Sequence, residues 1–136
     1  MILIAENRFG KAEYEPNLKH VYYTFHGRIN VDLAKEVCKE VIAFSEDHEI
    51  SVSMADLSET SGTFTGLQGW LVQNYFPVMI GKGLLGHGIV VPDDVFTKFA
   101  AGSLIQKMGN FMIRTFNNAS ESKEWMKEVG GLRQTG

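Results

Sequence analysis

The sequence has little that would stabilise a secreted or membrane-bound protein. Its one cysteine, Cys38, has no partner for an internal disulfide, which excludes the disulfide-rich domain classes. The apolar start at residues 1–5 is followed directly by the polar residues Glu6, Asn7 and Arg8. This pattern is neither a signal peptide nor a membrane span, so we expect a cytoplasmic protein.

The chain also lacks an excess of positive charge. Thirteen Lys and Arg stand against 16 Asp and Glu, a formal net charge of -3, and no basic patch occurs along the sequence. This balance argues against nucleic acid as a partner, because phosphate binding needs clustered basic residues. The 136 residues, 44% of them hydrophobic, are instead typical of one folded domain spanning residues 1–136.

Short apolar runs in the first half favour strands around one helix. Residues 2–26 hold such runs on both sides of a turn signal at Pro16 and Asn17, which predicts an antiparallel hairpin. Asn30 is suited to cap a helix over apolar positions 34–44 that ends near residues 47–48. Alternation over residues 50–57 predicts a strand that ends at Asp56 and Leu57 and opens into a polar loop over 58–66.

Helices and strands alternate in the second half. Residues 67–80 read as an apolar helix that Pro77 must kink or break. A strand at 88–91, a helix starting near Asp93 and Asp94, a strand at 111–116 and a helix stopped by Gly130 and Gly131 follow. We therefore predict an α/β fold with four helices and one mixed sheet of four or five strands, whose first strands are antiparallel and whose central strands are parallel.

Cofactor and metal motifs are missing from the sequence. The glycines at 81, 83 and 86 have the dinucleotide-binding spacing, but a helix precedes them and a strand follows, which is the reverse of the required order. The four histidines His20, His26, His48 and His87 have no metal-ligand spacing. We expect no cofactor and no metal, and we interpret Cys38, on the apolar side of its helix, as a buried structural thiol.

Five segments of the second half resemble small bacterial STAS-like (SpoIIAA-like) domains, which share the fold of anti-sigma-factor antagonists and are grouped with CRAL-TRIO lipid carriers. They are residues 74–77 (Asn-Tyr-Phe-Pro), 83–84, 89–96, 113–116 and 122–126. The resemblance implies a binding or regulatory module without a catalytic cofactor. Antagonists of this superfamily carry Asp-Leu-Ser at a strand end, matched here by Asp56, Leu57 and Ser58.

Those antagonists also carry, further along the chain, a serine at a helix start that a partner kinase phosphorylates. Ser61 and Thr65 are the alternatives for that acceptor in this sequence. Residues 58–65 are otherwise explained as ordinary loop and helix-capping residues, because Ser, Thr and Gly favour such positions.

An aromatic group around the Pro77 segment is the other candidate site. It comprises Phe64, Trp70, Tyr75 and Phe76, with Phe96 and Phe99 as further candidates. Core packing, a homodimer interface and an apolar ligand pocket all remain open for it.

The functional hypothesis is a non-enzymatic module that binds a regulatory protein, a kinase, a second copy of itself, or a small apolar or anionic ligand. Asp56, Ser58 and the aromatic group form the expected contact surface. The alternative is a small hydrolase or isomerase that uses Asp56, Ser58 or His26.

Overall fold

One mixed sheet of six strands forms the centre of the molecule. The computed structural model describes residues 1–92 and 95–135, without the side chains of residues 95–97, 99 and 132–135. The predicted helix start at Asp93 and Asp94 and the side chains of Phe96 and Phe99 therefore lie outside the described residues. In chain order the strands are β1 (Ile2–Glu6), β2 (Gly10–Glu15), β3 (His20–Arg28), β4 (Val52–Ser61), β5 (Gly86–Val90) and β6 (Met112–Phe116).

The strands lie side by side in the order of the sequence. β1, β2 and β3 are antiparallel, whereas β3 to β6 are parallel. The α/β class and the mixed sheet are confirmed, but the expected number of four or five strands is wrong for the described residues. The chain reverses twice before residue 20, because the Asn7 side chain accepts hydrogen bonds from the backbone N–H groups of Phe9 and Gly10 and so forms an additional turn.

Four helical segments connect and cover the strands, as the sequence predicts. They are α1 (Val31–Phe44), the segment over residues 65–81, α4 (Val95–Met108) and α5 (Ala119–Thr135). The segment over residues 65–81 contains α2 (Thr65–Trp70), a π-helical turn (Leu71–Tyr75) and α3 (Phe76–Gly81). The change of geometry falls directly before Pro77, which has no N–H to donate to the preceding turn.

Three predicted boundaries are wrong. β4 continues past Asp56 and Leu57 to Ser61, because β3 keeps pairing with it as far as Arg28 after a bulge. α1 ends earlier than predicted, at Phe44, where the Ser45 hydroxyl donates a hydrogen bond to the Ile42 carbonyl.

The third wrong boundary is the end of α5, which runs through Gly130 and Gly131 to Thr135. A Cβ atom at Gly130 would lie 3.6 Å from His20 Nε2. Gly130 therefore lies close to β3, where a Cβ would make an ordinary van der Waals contact, and it does not stop the helix.

The helices are divided unequally between the two faces of the sheet. A connection between two parallel strands is nearly always right-handed. Because β3 to β6 follow one another in one direction across the sheet, the helices that connect them lie on the same face. These helices are α1, α2–α3 and α4. We call this the α1 face, and the opposite one, covered by α5, the α5 face. Buried residues of the α1 face include Val21, Tyr23, Phe25, Leu57 and Ile89. Those of the α5 face include Tyr22, Val52, Met54, Val90, Trp125 and Met126.

Among the described residues, none of the helices is both long and apolar enough to span a lipid bilayer.

Candidate ligand-binding cavity

A cavity of about 70 Å³ lies between the α1 face of the sheet and the helices above it. Its floor is formed by side chains that alternate toward this face along three parallel strands. They are Tyr23 and Phe25 on β3, Ala55 and Leu57 on β4, and His87 and Ile89 on β5. Because the parallel strands keep these residues in register, the floor is a continuous apolar surface with one imidazole in it.

The roof of the cavity comes mainly from the helical segment over residues 65–81. Phe64, directly before α2, and Leu67 on that helix lie over the cavity, followed by Leu71 and Tyr75 at the two ends of the π-helical turn. All four side chains are buried. π-Helical turns are rare in proteins, and many of those that occur lie at functional sites. The π-helical turn in the roof is therefore a second reason to consider the cavity a candidate site.

Aromatic rings support the roof on several sides. Phe76 packs edge-on against Tyr75, with ring centroids 5.0 Å apart, and against His87 at 5.4 Å. At the other end, Phe9 stacks on Phe25 with centroids 4.8 Å apart. Aromatic rings are rigid and cannot change shape to fill a small gap beside them. A space therefore remains between the floor and the roof.

A chain of hydrogen bonds crosses the cavity wall. The hydroxyls of Tyr23 and Tyr75 lie 2.5 Å apart, and Tyr23 also hydrogen-bonds the Cys38 thiol. Tyr75 is joined in turn to Ser53, whose Oγ lies 2.6 Å from His87 Nδ1. Ser53 and His87 are direct neighbours across β4 and β5, so the sheet itself fixes this last contact.

Burial keeps every group of this chain uncharged near neutral pH. Desolvation raises the pKa of Tyr23 and of Tyr75 well above the usual value, and it raises the pKa of the Cys38 thiol to about 12. The same effect lowers the pKa of His87 to about 4. The prediction of a buried Cys38 is confirmed, and a thiol in this state is a poor nucleophile.

The predicted site residues separate into two places. Phe64, Tyr75 and Phe76 line the cavity, and the half-buried Trp70 stacks on Tyr75 with centroids 6.5 Å apart. Asp56 instead pairs with Val90 and lies on the α5 face, since side chains alternate along β4. The structure therefore does not combine Asp56 with the aromatic group in one surface.

Asp56, Ser58 and His26 lie on the neighbouring strands β4 and β3, on either side of the bulge in their pairing. The Asp56 carboxylate accepts a hydrogen bond of 3.0 Å from the Ser58 backbone N–H, and His26 pairs with Glu59 across the two strands. Among the described residues, no hydrogen bond joins the His26 ring to Asp56 or to Ser58. The three residues are thus neighbours without the contacts of a nucleophile and its base.

Ser61 and Thr65 both have exposed side chains. Ser61 is the last residue of β4, and Thr65 is the first residue of α2, where its hydroxyl lies 2.6 Å from the Thr63 hydroxyl. Phosphorylation of either residue stays a prediction. Residues 58–61 belong to a strand, which corrects the expectation of a loop over 58–66.

Sequence reasoning missed the polar group at the cavity, namely Tyr23 and His87 in its lining and Ser53, which contacts His87. Each of them occupies an inward position of a strand whose other inward positions are apolar. A polar residue at such a position must find a hydrogen-bond partner, which is the signal that could have identified the group.

In residues 1–92 and 95–135, no three side chains of His, Cys, Asp or Glu are placed so that they could bind a metal ion together. The described residues therefore contain no candidate metal site. No protein-family model matches the chain, and a search of curated proteins found no similar one.

Proposed function

We propose that the protein is a non-enzymatic binding module of STAS-like type, and that it binds a small apolar molecule in the cavity on the α1 face. The observation that carries this proposal is the cavity itself. Protein interiors are packed as densely as organic crystals and hold few voids larger than a water molecule. The space of about 70 Å³ under the roof, which is partly open to solvent, thus offers apolar side chains that a small molecule could cover.

The chemistry of the walls favours an apolar occupant. The hydroxyls of Tyr23 and Tyr75 are directed to each other, so the remaining floor and roof present mostly carbon atoms. Water binds stably in a cavity only where several polar partners are available. The stability of a protein falls as the volume of an empty cavity in it grows. From that relation, apolar atoms that fill a space of this size gain contacts worth about 2 kcal/mol.

The size of the cavity limits what it accepts without rearrangement. A cavity of about 150 Å³ holds benzene, so about 70 Å³ suits a smaller group. A larger ligand would need the roof to move. The roof segment is divided into two six-residue helices by the π-helical turn, and it is the part of the wall best suited to such a shift.

The buried groups support binding more than catalysis. A nucleophile needs a lowered pKa or an adjacent base that reaches substrate, whereas burial raises the pKa of Cys38 and of both tyrosines. Ser53 does contact the His87 ring, but its side chain is fully buried and lies outside the cavity lining. These features are consistent with a structural hydrogen-bond chain.

Xenon provides a direct test, because it enters apolar cavities without needing a polar contact. We expect NMR spectra of the labelled wild-type protein under xenon pressure to change at Leu71, Tyr75 and Ile89, and to stay unchanged on α5. The variant Ala55→Val adds two carbon atoms at the floor and should weaken these changes. Gly102→Ala, at an exposed position of α4, is the matched control and should leave them intact.

Two results would count against the proposal. Spectra that do not respond to xenon around the cavity would remove its basis. Responses confined to the exposed apolar side chains Val78 and Ile80 of α3 would favour an interface with a second copy or a regulatory protein instead.

A further inference from the structure

His87 is the polar residue of the cavity lining that keeps an unused hydrogen-bonding atom. It is the second residue of the fully buried strand β5, and only 6% of its surface is exposed. Its Nδ1 atom is held by Ser53 Oγ at 2.6 Å. Its Nε2 atom forms no hydrogen bond with any residue that the structure describes.

The ring is held in one orientation from two directions. Ser53 fixes it from the neighbouring strand, and the Phe76 ring packs edge-on against it at an angle of 70°. Phe76 restricts the plane of the ring, and a half-turn within that plane would lose the Ser53 hydrogen bond, so Nε2 keeps a constant position beside the cavity. A neutral hydrogen bond contributes about 0.5–1.5 kcal/mol net, so a bound molecule that supplies a partner for Nε2 would gain by about that amount.

We infer that His87 is the polar contact of this cavity, and that the bound molecule is a neutral, mainly apolar compound carrying one hydroxyl group. This inference rests on the proposed function and specifies its ligand class. The apolar body would lie between Leu71 and Ile89, with the hydroxyl directed at Nε2.

The hydrogen-bond chain explains why a hydroxyl fits better than other groups. When Ser53 donates to Nδ1, Nε2 carries the proton and donates to the ligand; when Ser53 accepts from Nδ1, Nε2 accepts instead. A hydroxyl group matches both arrangements, whereas a carbonyl matches only the first. Charged groups are disfavoured, because the ring stays neutral and the other walls are apolar.

Benzene and phenol are suitable probes, since they differ by a single hydroxyl. The variant Leu71→Ala enlarges the cavity from the roof so that a six-membered ring can enter, and Leu67→Ala serves the same purpose if the first variant does not fold. Binding is followed by NMR titration. The ring nitrogens of His87 are observed directly through their ¹⁵N chemical shifts, a readout that needs no substitution at His87.

We expect phenol to shift the Nε2 resonance of Leu71→Ala and benzene to leave it nearly unchanged. Adding His87→Phe, which keeps an aromatic ring beside Phe76, should weaken phenol binding about tenfold, the value of one net hydrogen bond. Benzene binding should change by no more than about threefold.

The outcomes separate this inference from the proposed function. Phenol that binds without shifting Nε2, or that loses no more affinity than benzene with His87→Phe, overturns the inference and leaves the cavity as an apolar site. Xenon binding to the wild type combined with no phenol binding to the enlarged variants also overturns it. Failure of xenon, benzene and phenol together overturns the proposed function itself.

Discussion

On the α5 face, glycines bring the helix directly against the sheet, whereas on the α1 face aromatic rings hold the helices away from it. The contrast is visible within β5 alone. Gly86 and Gly88 lie on the side of β5 that faces α5. A Cβ added at Gly88 would lie 2.6 Å from Ser122 Oγ and 3.5 Å from the Trp125 ring. His87 and Ile89, on the other side of the same strand, form part of the cavity floor.

The difference shows how one short strand can serve two purposes. Side chains alternate between the faces of a strand, so β5 can pack closely against a helix on one side and line a cavity on the other. The α5 face packs closely around Gly86 and Gly88, whereas the α1 face holds the larger group of buried residues and still leaves a cavity. Four predictions test this division, beginning with the largest effect.

Truncating the main contact of the α5 face should be the most damaging change. Trp125 is buried and lies 5.5 Å from the Phe116 ring, between centroids. We expect Trp125→Ala to lower the free energy of unfolding by about 3–5 kcal/mol, as measured by urea denaturation. Glu124→Ala, at an exposed neighbouring position, should change it by less than about 0.5 kcal/mol. Similar values for the two variants would mean that the α5 face is not closely packed.

Acid should weaken the α1 face through His87. Burial lowers the pKa of His87 from 6.5 to about 4, so below pH 6.5 the unfolded chain binds a proton that the folded protein resists. The contribution of His87 to the free energy of unfolding is complete above pH 6.5. It is lost as the pH falls toward 4, and the loss is on the order of 3 kcal/mol. Urea denaturation across this pH range should show that loss, and His87→Phe should make the curve flatter.

Burial also lowers the pKa of His20, on the α5 face, to about 4. His20→Gln is therefore the matched comparison, and it should remove a separate part of the acid dependence. If neither substitution alters the pH curve, carboxylates elsewhere cause the loss and the two buried rings do not.

Adding one carbon atom at Gly88 should destabilise the protein. The new Cβ would force Ser122 or α5 to move, and overpacking of this kind costs about 1–3 kcal/mol. Gly102→Ala is the control, since nothing lies within 4 Å of the methyl group that this substitution adds, and alanine favours a helix by about 0.5–1 kcal/mol. Thermal unfolding of the two variants should therefore shift in opposite directions.

Adding carbon atoms on the α1 face should have the smallest effect and the opposite sign. Ala55→Val extends into the cavity and adds a β-branched residue to a strand, so we expect a stabilisation of about 0.5–1 kcal/mol. The measurement is again urea denaturation, with Gly88→Ala as the contrasting variant. A clear loss of stability would show that the floor is already as tightly packed as the α5 face.

The general order of the elements could be predicted because each depends on local patterns. Asn30 illustrates this point: its side chain accepts a hydrogen bond of 3.0 Å from the Leu33 N–H, as its position before an apolar helical stretch predicts. The end of β4 could not be predicted, because pairing with β3 after a bulge depends on a neighbour distant in sequence.

The cavity was only partly predictable for the same reason. Phe64, Tyr75 and Phe76 are close in sequence, so their density marked them as a group. Tyr23, Ser53 and His87 come from three different strands and meet only when the sheet forms. Asp56 and Ser58 were joined to the aromatic group by proximity along the chain, although alternation places Asp56 on the opposite face.

The π-helical turn makes the roof depend on the number of residues as well as on their identity. A π-helical turn holds more residues than an α-helical turn, so removing one residue between Leu71 and Tyr75 would narrow the turn toward α-helical geometry, although Pro77 would still interrupt the hydrogen bonds after it. That deletion would change the width of the turn, and with it the place of the Tyr75 hydroxyl that now contacts Tyr23. Insertions and deletions in these five positions should therefore be tolerated far less readily than substitutions at the exposed ones among them.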